Sequence, residues 1–207
     1  GLRFAIPTGY LLEDLDREVS KDFAVAVDKL SSAGNHIIDV HIDEIESLRP
    51  SNNSKSIVAA EAYQIHKKRL ESNFNNNYDP FVSFRLGSGK DILASEFLEM
   101  VQIRKTVCKS FDSLMNNYDA LILPTVPIIP PRLSDLTNIR TKSDKNSSCL
   151  RNTAVSNFLD LPTITVPCHS EGQAPTGFSI IGLRGQDKRL FAIASICETI
   201  VKPNELV

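Results

Sequence analysis

The chain has 207 residues, 42% of them hydrophobic, with 23 basic and 25 acidic side chains and a formal net charge of −2. A chain of this size buries about 70% of the surface its unfolded form exposes, and this composition excludes intrinsic disorder and collagen. No apolar run approaches the roughly 18 residues of a spanning helix, and the dispersed charges attract neither phosphate backbone nor anionic lipid, so neither nucleic acid nor membrane is an expected partner. The opening residues do not read as a secretory signal, and the expected compartment is the cytosol. Cys108, Cys149, Cys168 and Cys197 contain no C-x-x-C, and His36, His41, His66 and His169 show no ligand spacing. Free thiols are therefore expected, with no metal and no cofactor.

Leu2, Phe4 and Ile6 alternate up to Pro7, which predicts a strand. From Asp16 to Ala33 the set Val19, Phe23, Val27 and Leu30 recurs at helical spacing, with Gly34 where a left-handed cap belongs. Ile38, Val40 and Ile42 alternate again, completing a βαβ unit whose strands should be parallel. A polar stretch from Pro50 to Lys55 precedes a helix over Ser56 to Glu71, and Asn73 to Asn77 reads as a loop. Asp79 and Pro80 supply a helix cap and a first-turn proline. A long core helix is expected over Ser95 to Asn116, with Phe97, Met100, Val101, Val107, Cys108, Phe111 and Leu114 on one wide face. Ala120 to Leu123 reads as a strand buried on both faces and stopped by Pro124. Ser134 to Ser148 is the most polar stretch and reads as a mobile loop. A short helix near Leu150 to Leu159, strands at 162–167 and 177–182 joined by a hairpin-length loop, and a last helix over Lys188 to Ile200 complete the chain. The prediction is a single α/β domain over 1–207, a mixed β-sheet flanked by helices.

The usual chemical motifs fail on inspection. Gly87-Ser88-Gly89-Lys90 resembles the end of a phosphate-cradling loop, but Phe84 stands where that motif needs glycine and Asp91 where it needs Ser or Thr. No G-x-S-x-G elbow exists, and Ser31-Ser32-Ala33-Gly34 falls at a helix C-terminus, where small residues act as a cap. Cys108 paired with His66 is a conceivable nucleophile, but the thiol lies on an apolar helix face, which favours its neutral form.

Three stretches carry more: Tyr118 to Pro127 (YDALILPTVP), Arg151 to Pro167 (RNTAVSNFLDLPTITVP) and Pro175 to Gly182 (PTGFSIIG). In this order they resemble the C-terminal half of the amidase signature family. Gly1 to Pro7 is similar to the strand that opens this half, so the resemblance covers nearly the whole chain and implies a partial amidase signature fold. It implies hydrolysis of carbon–nitrogen amide bonds by a Ser, cis-Ser, Lys triad, with the oxyanion held by backbone N–H groups. In that family the triad lies upstream, in a half that precedes Gly1, so no catalytic residue is assigned here. The expected partners are that missing N-terminal half, a small-molecule amide substrate bound by the parent enzyme, and a second copy of the chain in a homodimer.

The resemblance also nominates site residues. Tyr63 and Arg85 fall where relatives place a pocket tyrosine and a carboxylate-binding arginine, a task suited to a planar guanidinium. Pro124 and Thr125 end a strand where the chain must leave the sheet, and Asn157 follows Thr153 by one helical turn; these three are expected to form pocket wall and scaffold. Gly177 and Gly182 suit close approach of another backbone, that of the missing half. Without it, the strands at Ala120 to Leu123 and Phe178 to Ile181 are expected to lose cover. Two alternatives stand beside the amidase reading: a part of a tRNA-dependent glutamine amidotransferase, like its amidase subunit, and a non-catalytic binding fragment.

Overall fold

The computed structural model describes residues 1–49, 55–72 and 78–202, and these divide into two compact units. One draws on Gly1–Arg49 and on the chain from Cys108 onward; the other lies within Pro50–Val107, where the sequence predicts one domain throughout. Most of the polar stretch ahead of Lys55, and the asparagine-rich stretch at 73–77, lie outside the described residues.

In the first unit β1 (Arg3–Pro7), β2 (His36–Val40), β3 (Ala120–Pro124), β4 (Thr163–Pro167) and β5 (Gly177–Ile181) form one sheet in the order β2-β1-β3-β5-β4. β1 runs parallel to β2 and β3, while β5 is antiparallel to both β3 and β4. This is the mixed α/β sheet expected, because α1 (Arg17–Ser32) crosses over between β1 and β2 whereas a short loop turns β4 directly into β5. Asp16 does not cap α1 with its side chain. Its N–H donates to Pro127 O at 2.8 Å and its Oδ2 accepts from Ile129 N at 2.9 Å, which ties the proline-punctuated chain after β3 to the start of α1.

Phe4, Ile6, Ile122, Phe178 and Ile180 project from one face of the sheet and form the main core with Phe23 and Leu30 of α1 and Leu190 and Cys197 of α8 (Asp187–Val201). Each such side chain contributes about 1.5–3 kcal/mol on burial. Leu121, Leu123 and Ile181 point the other way and are equally enclosed. The exposure expected for these strands in the absence of another half does not occur: Ala120 to Leu123 are at most 1% exposed, and Phe178 to Ile181 at most 3%. Both edge strands are open: His36 and Asp39 are exposed on β2, and Thr163, Thr165 and Pro167 on β4.

β2 leads into the one-turn α2 (Asp43–Glu46), which buries Ile45. The second unit holds α3 (Ile57–Leu70), α4 (Pro80–Gly87) and the first turns of α5 (Ala94–Met115). Ser56 caps α3 by accepting from Ala59 N, and Asp79 caps α4 by accepting from Phe81 N and Val82 N, with Pro80 in its first turn. The wide core face expected along α5 is restricted to its end: Cys108, Phe111 and Met115 are buried, whereas Val101 is 41% exposed.

The mobile loop expected at 134–148 is instead mostly helix. A 3-10 turn at Leu133–Asp135 precedes α6 (Ile139–Leu150). Asn138 Oδ1 accepts from Thr141 N at 3.0 Å, and Thr141 Oγ1 accepts from Asn138 N at 3.2 Å, a reciprocal cap that starts the helix without any apolar stripe. α6 buries no residue, which is why periodicity does not reveal it. α7 (Thr153–Leu159) follows and ends at Asp160, a non-glycine residue with φ 59°.

Burial pushes the Cys197 thiol up from 9.0 to about 11. Tyr10 rises from 10.0 to about 12, through burial first and the Glu46 carboxylate second. Both groups are held neutral in the folded chain, so the stability they confer is complete below pH 9 and drains away as pH rises towards about 12. Denaturant midpoints should therefore hold up to about pH 9 and fall between pH 9 and pH 11, and Cys197→Ala should flatten part of that slope; a midpoint flat from pH 9 to pH 11 would contradict the assignment.

Candidate functional site

The carboxyl end of β3 opens onto a cleft of about 250 Å³ in the first unit. Leu123 and Ile181 contribute apolar surface; Thr125, Thr165 and Ser179 line it from the sheet, and Thr153, Ser156 and Asn157 from α7. Thr153 and Asn157, one turn apart, do share a face. Pro124 is held from the side: its carbonyl accepts from Asn152 Nδ2 at 2.7 Å, and Asn152 is only 1% exposed. Asn152 Oδ1 in turn accepts from Arg151 Nε at 3.2 Å, while Arg151 Nη2 donates to Leu11 O at 3.2 Å. This pair therefore ties together the turn after β1, the end of β3 and the start of α7. Burial draws the Arg151 pKa downward, against the raising pull of Asp14, Tyr10 and Glu13.

Three hydroxyls meet on the cleft's sheet side. Thr125 Oγ1 lies 2.8 Å from Ser179 Oγ and 3.2 Å from Thr165 Oγ1, and Thr165 Oγ1 lies 3.2 Å from Ser179 Oγ. Gly177 makes room for them: a Cβ there would stand 2.7 Å from Thr125 Oγ1 and 2.8 Å from Thr165 Cγ2. A Cβ on Gly182 would meet Leu190 of α8 at 3.2 Å. Within this chain the close neighbours of both glycines are side chains.

Tyr63 and Arg85 belong to the second unit, on α3 and α4. Tyr63 lines a cavity of about 210 Å³ with Glu71, Ser83 and Lys90, and its hydroxyl donates to Glu71 Oε1 at 2.6 Å. That hydrogen bond, then desolvation, raises its pKa. Arg85 is exposed and does not line this cavity; its guanidinium sits 5.9 Å from the Phe81 ring centre. The structure therefore does not bring Tyr63 and Arg85 together in one cavity.

Cys108 and His66 have separate partners. The thiol donates towards Phe158 O and Leu159 O, both at 3.7 Å, and His66 Nδ1 is 2.8 Å from Tyr78 Oη. Thr8, His41 and Asp43 do form a hydroxyl–imidazole–carboxylate line, with Thr8 Oγ1 3.4 Å from His41 Nδ1 and His41 Nε2 3.2 Å from Asp43. The His41 and Asp43 side chains are 63% and 93% exposed, however, and an open surface offers none of the water exclusion that makes such a relay effective. Among the described residues no group of three or more His, Cys, Asp or Glu side chains could hold a metal ion, and no helix is long and apolar enough to cross a membrane.

Asn152, Thr165 and Ser179 are not singled out by sequence. Ser179 carries a signal, a polar residue inside the apolar run Gly177–Ile181; Asn152 is a polar residue buried at the mouth of α7, and Thr165 follows the ordinary polar alternation of an edge strand.

This arrangement of sheet and helices recurs in solved structures. The Kluyveromyces lactis allophanate hydrolase matches with a TM-score of 0.80 at 22% identity, over 98% of this chain and 33% of that one. The A-type subunit of the Thermotoga maritima glutamyl-tRNA(Gln) amidotransferase matches with a TM-score of 0.67 at 22% identity, over 99% and 44%. These likenesses show a shared α/β fold. Residues 1–191 match the Amidase family, and the chain belongs to that family. In sequence it is similar to the 2-amino-5-chloromuconic acid deaminase of Comamonas testosteroni, 27% identical over 97% of this chain and 44% of the relative. It is likewise similar to an amidase of Pseudomonas putida, 28% identical over 89% and 38%, and to the A-type subunit of the Saccharolobus solfataricus glutamyl-tRNA(Gln) amidotransferase, 26% identical over 91% and 43%. The chain spans less than half the length of each of these relatives.

Proposed function

We propose that this chain is the scaffold and pocket-wall half of an enzyme that hydrolyses carbon–nitrogen amide bonds, acting with a preceding half that carries a Ser, cis-Ser, Lys triad. The observation that carries this reading is the cleft at the end of β3, lined by Thr125, Thr153 and Asn157 from two of the three stretches that resemble the family, and braced by Asn152 on the Pro124 carbonyl. Its partners on this reading are a small amide and the other half of the same enzyme. The exposed edge of β4 offers that half a place to pair. Gly182 N donates to Pro162 O and Cys168 N to Thr176 O, so alternate residues 162, 164, 166 and 168 face β5. The backbone groups of Thr163 and Thr165 are thereby left directed outward on a strand with no charged side chain to guard it. A second copy of the chain would use the same edge, which keeps a homodimer open in the absence of the other half.

Tyr63 and Arg85 are retained as proposed substrate contacts of the helical unit, where the Tyr63 phenol, Glu71 and Lys90 surround one cavity. The similarity to amidotransferase A-type subunits supports the second reading, a part of a tRNA-dependent amidotransferase; a non-catalytic binding fragment is the third. Joined to a half bearing the nucleophile, the chain is expected to support amide turnover that Asn152→Ala lowers about tenfold or more in kcat/KM by loosening the wall, as positioning changes of about 1 Å do. Unchanged kcat/KM in a folded Asn152→Ala enzyme would remove this cleft from the pocket.

A further inference from the structure

The sheet leaves one polar group at the end of β3 without a strand to pair it. β1 pairs with β3 through Phe4 with Ala120 and Ala5 with Leu121, and no further along. Thr125 N donates to Gly177 O at 2.8 Å, so the alternation of the strand turns the Pro124 carbonyl away from β5 and towards the β1 side. There β1 has already ended at Pro7, and Thr8 N donates to Val40 O instead. The chain continues from β1 to β2 on one side and from β3 to β4 and β5 on the other. The carboxyl ends of β1 and β3 thus flank the switch point of the sheet, where open α/β sheets usually take a ligand. In this chain the crevice is spanned by its own Asn152, whose Nδ2 donates to Pro124 O where a neighbouring strand's N–H would stand.

What holds Asn152 in that orientation is Arg151. The Pro124 carbonyl can only accept and the Arg151 Nε–H can only donate, so an amide between them has one orientation: Nδ2 towards the strand, Oδ1 towards the guanidinium. Asn152 is 1% exposed, so bulk water does not stand in for either partner. Arg151 Nη2 meanwhile donates to Leu11 O at 3.2 Å, in the turn after β1. The fork is spent on two neutral oxygens, while the Asp14 and Glu13 carboxylates act on its charge through space. A lysine would keep that charge but not two N–H groups in a fixed fork. Directly after the pair, α7 carries Thr153, Ser156 and Asn157 into the cleft, so the orientation of this amide bears on where that wall stands against Thr125.

We propose that Arg151 is a positioning residue of the cleft: it fixes the Asn152 amide in the crevice between β1 and β3, and through that amide sets the place of α7 against the end of β3. Its part in turnover rests on the reading of the cleft as the wall of an amide-hydrolase pocket; the orientation of Asn152 does not. Arg151 itself does not line the cleft, whereas Asn152 does, so its effect passes through Asn152.

Hydrogen exchange of the Asn152 side-chain amide in the 15N-labelled chain, its signals assigned by their loss in Asn152→Ala, tests the orientation. In the unaltered chain these protons are expected to exchange at least about tenfold more slowly than those of the exposed Asn157 side chain. Arg151→Met, which keeps the stem and removes every donor, and Arg151→Lys, which keeps the charge, should each speed that exchange about tenfold, with the backbone amides of β1 to β5 unchanged. Unprotected Asn152 protons in the unaltered chain, or full protection in Arg151→Lys, overturns the proposal; the first of these outcomes needs no variant to fold. The effect on turnover is read from a double-mutant cycle, with the chain joined to the preceding half of a family member. Arg151→Lys is expected to lower kcat/KM about tenfold, but by less than about twofold when Asn152 is already alanine, because it acts through that side chain. Losses that multiply would make Arg151 an independent structural contact and overturn its positioning role. Turnover unchanged in both Asn152→Ala and Arg151→Lys, with exchange responding as expected, would overturn the pocket reading alone and leave the orientation of Asn152 by Arg151 supported.

Discussion

Replacing Phe178 by alanine is expected to cost the first unit about 3–5 kcal/mol, the range for removing a fully buried phenylalanine. Phe178 is 0% exposed and lies on β5, between β3 and β4. Its ring stacks on Phe23 of α1, with centroids 5.5 Å apart and planes 29° from parallel, so it joins the sheet to its covering helix. Its loss leaves a cavity at the middle of the core, where Phe4, Ile122 and Ile180 are held by paired strands and cannot collapse inward freely. Urea unfolding followed by circular dichroism checks this: a midpoint falling with an unchanged slope is expected, and a loss under about 1 kcal/mol would mean the core repacks around the gap.

Gly89→Ala is expected to destabilise the helical unit by about 3 kcal/mol, at the upper end of what overpacking costs. A Cβ at this position would stand 2.0 Å from Ala59 O and 2.9 Å from Tyr63 Cβ, and the first of these is backbone within α3. α3 must shift as a body to make room, so the cavity lined by Tyr63 should deform with it. Hydrogen exchange of the amides in α3 and α4 reads this directly: faster exchange there, with β1 to β5 unchanged, is the expected pattern. Wild-type exchange in α3 would show that the turn yields instead.

Gly89 also shows how a motif can mislead. Gly87-Ser88-Gly89-Lys90 has the composition of a phosphate loop or a flexible turn, but Gly89 is buried and glycine because α3 presses on it. Strands and helices with apolar periodicity are legible: β1, α1, β2, the buried β3, the β4–β5 hairpin and α8 follow from alternation, helical spacing and turn residues. α6 is not, because a helix with no buried face carries no periodic signal and depends on the Asn138 cap. The candidate site is legible only in part. Thr125 and Asn157 stand in motifs that resemble the family, but the hydroxyl cluster joins residues 125, 165 and 179, whose meeting is a product of sheet order. The expectation that β3 and β5 would be bared fails for a similar reason. Nothing in the strands themselves says that both their faces are enclosed within the same chain, or that β4 takes one of the two edges.

On the reading proposed above, this chain supplies the wall of an amide-hydrolysing pocket but not its nucleophile. It is tested most directly by measuring release of product from a neutral amide by the purified chain, alone and after co-expression with the preceding half of a family member. No turnover is expected from the chain alone, and turnover is expected to appear with the other half and to disappear when that half's nucleophilic serine is replaced. Turnover by the chain alone that survives repurification and scales with its concentration would contradict it.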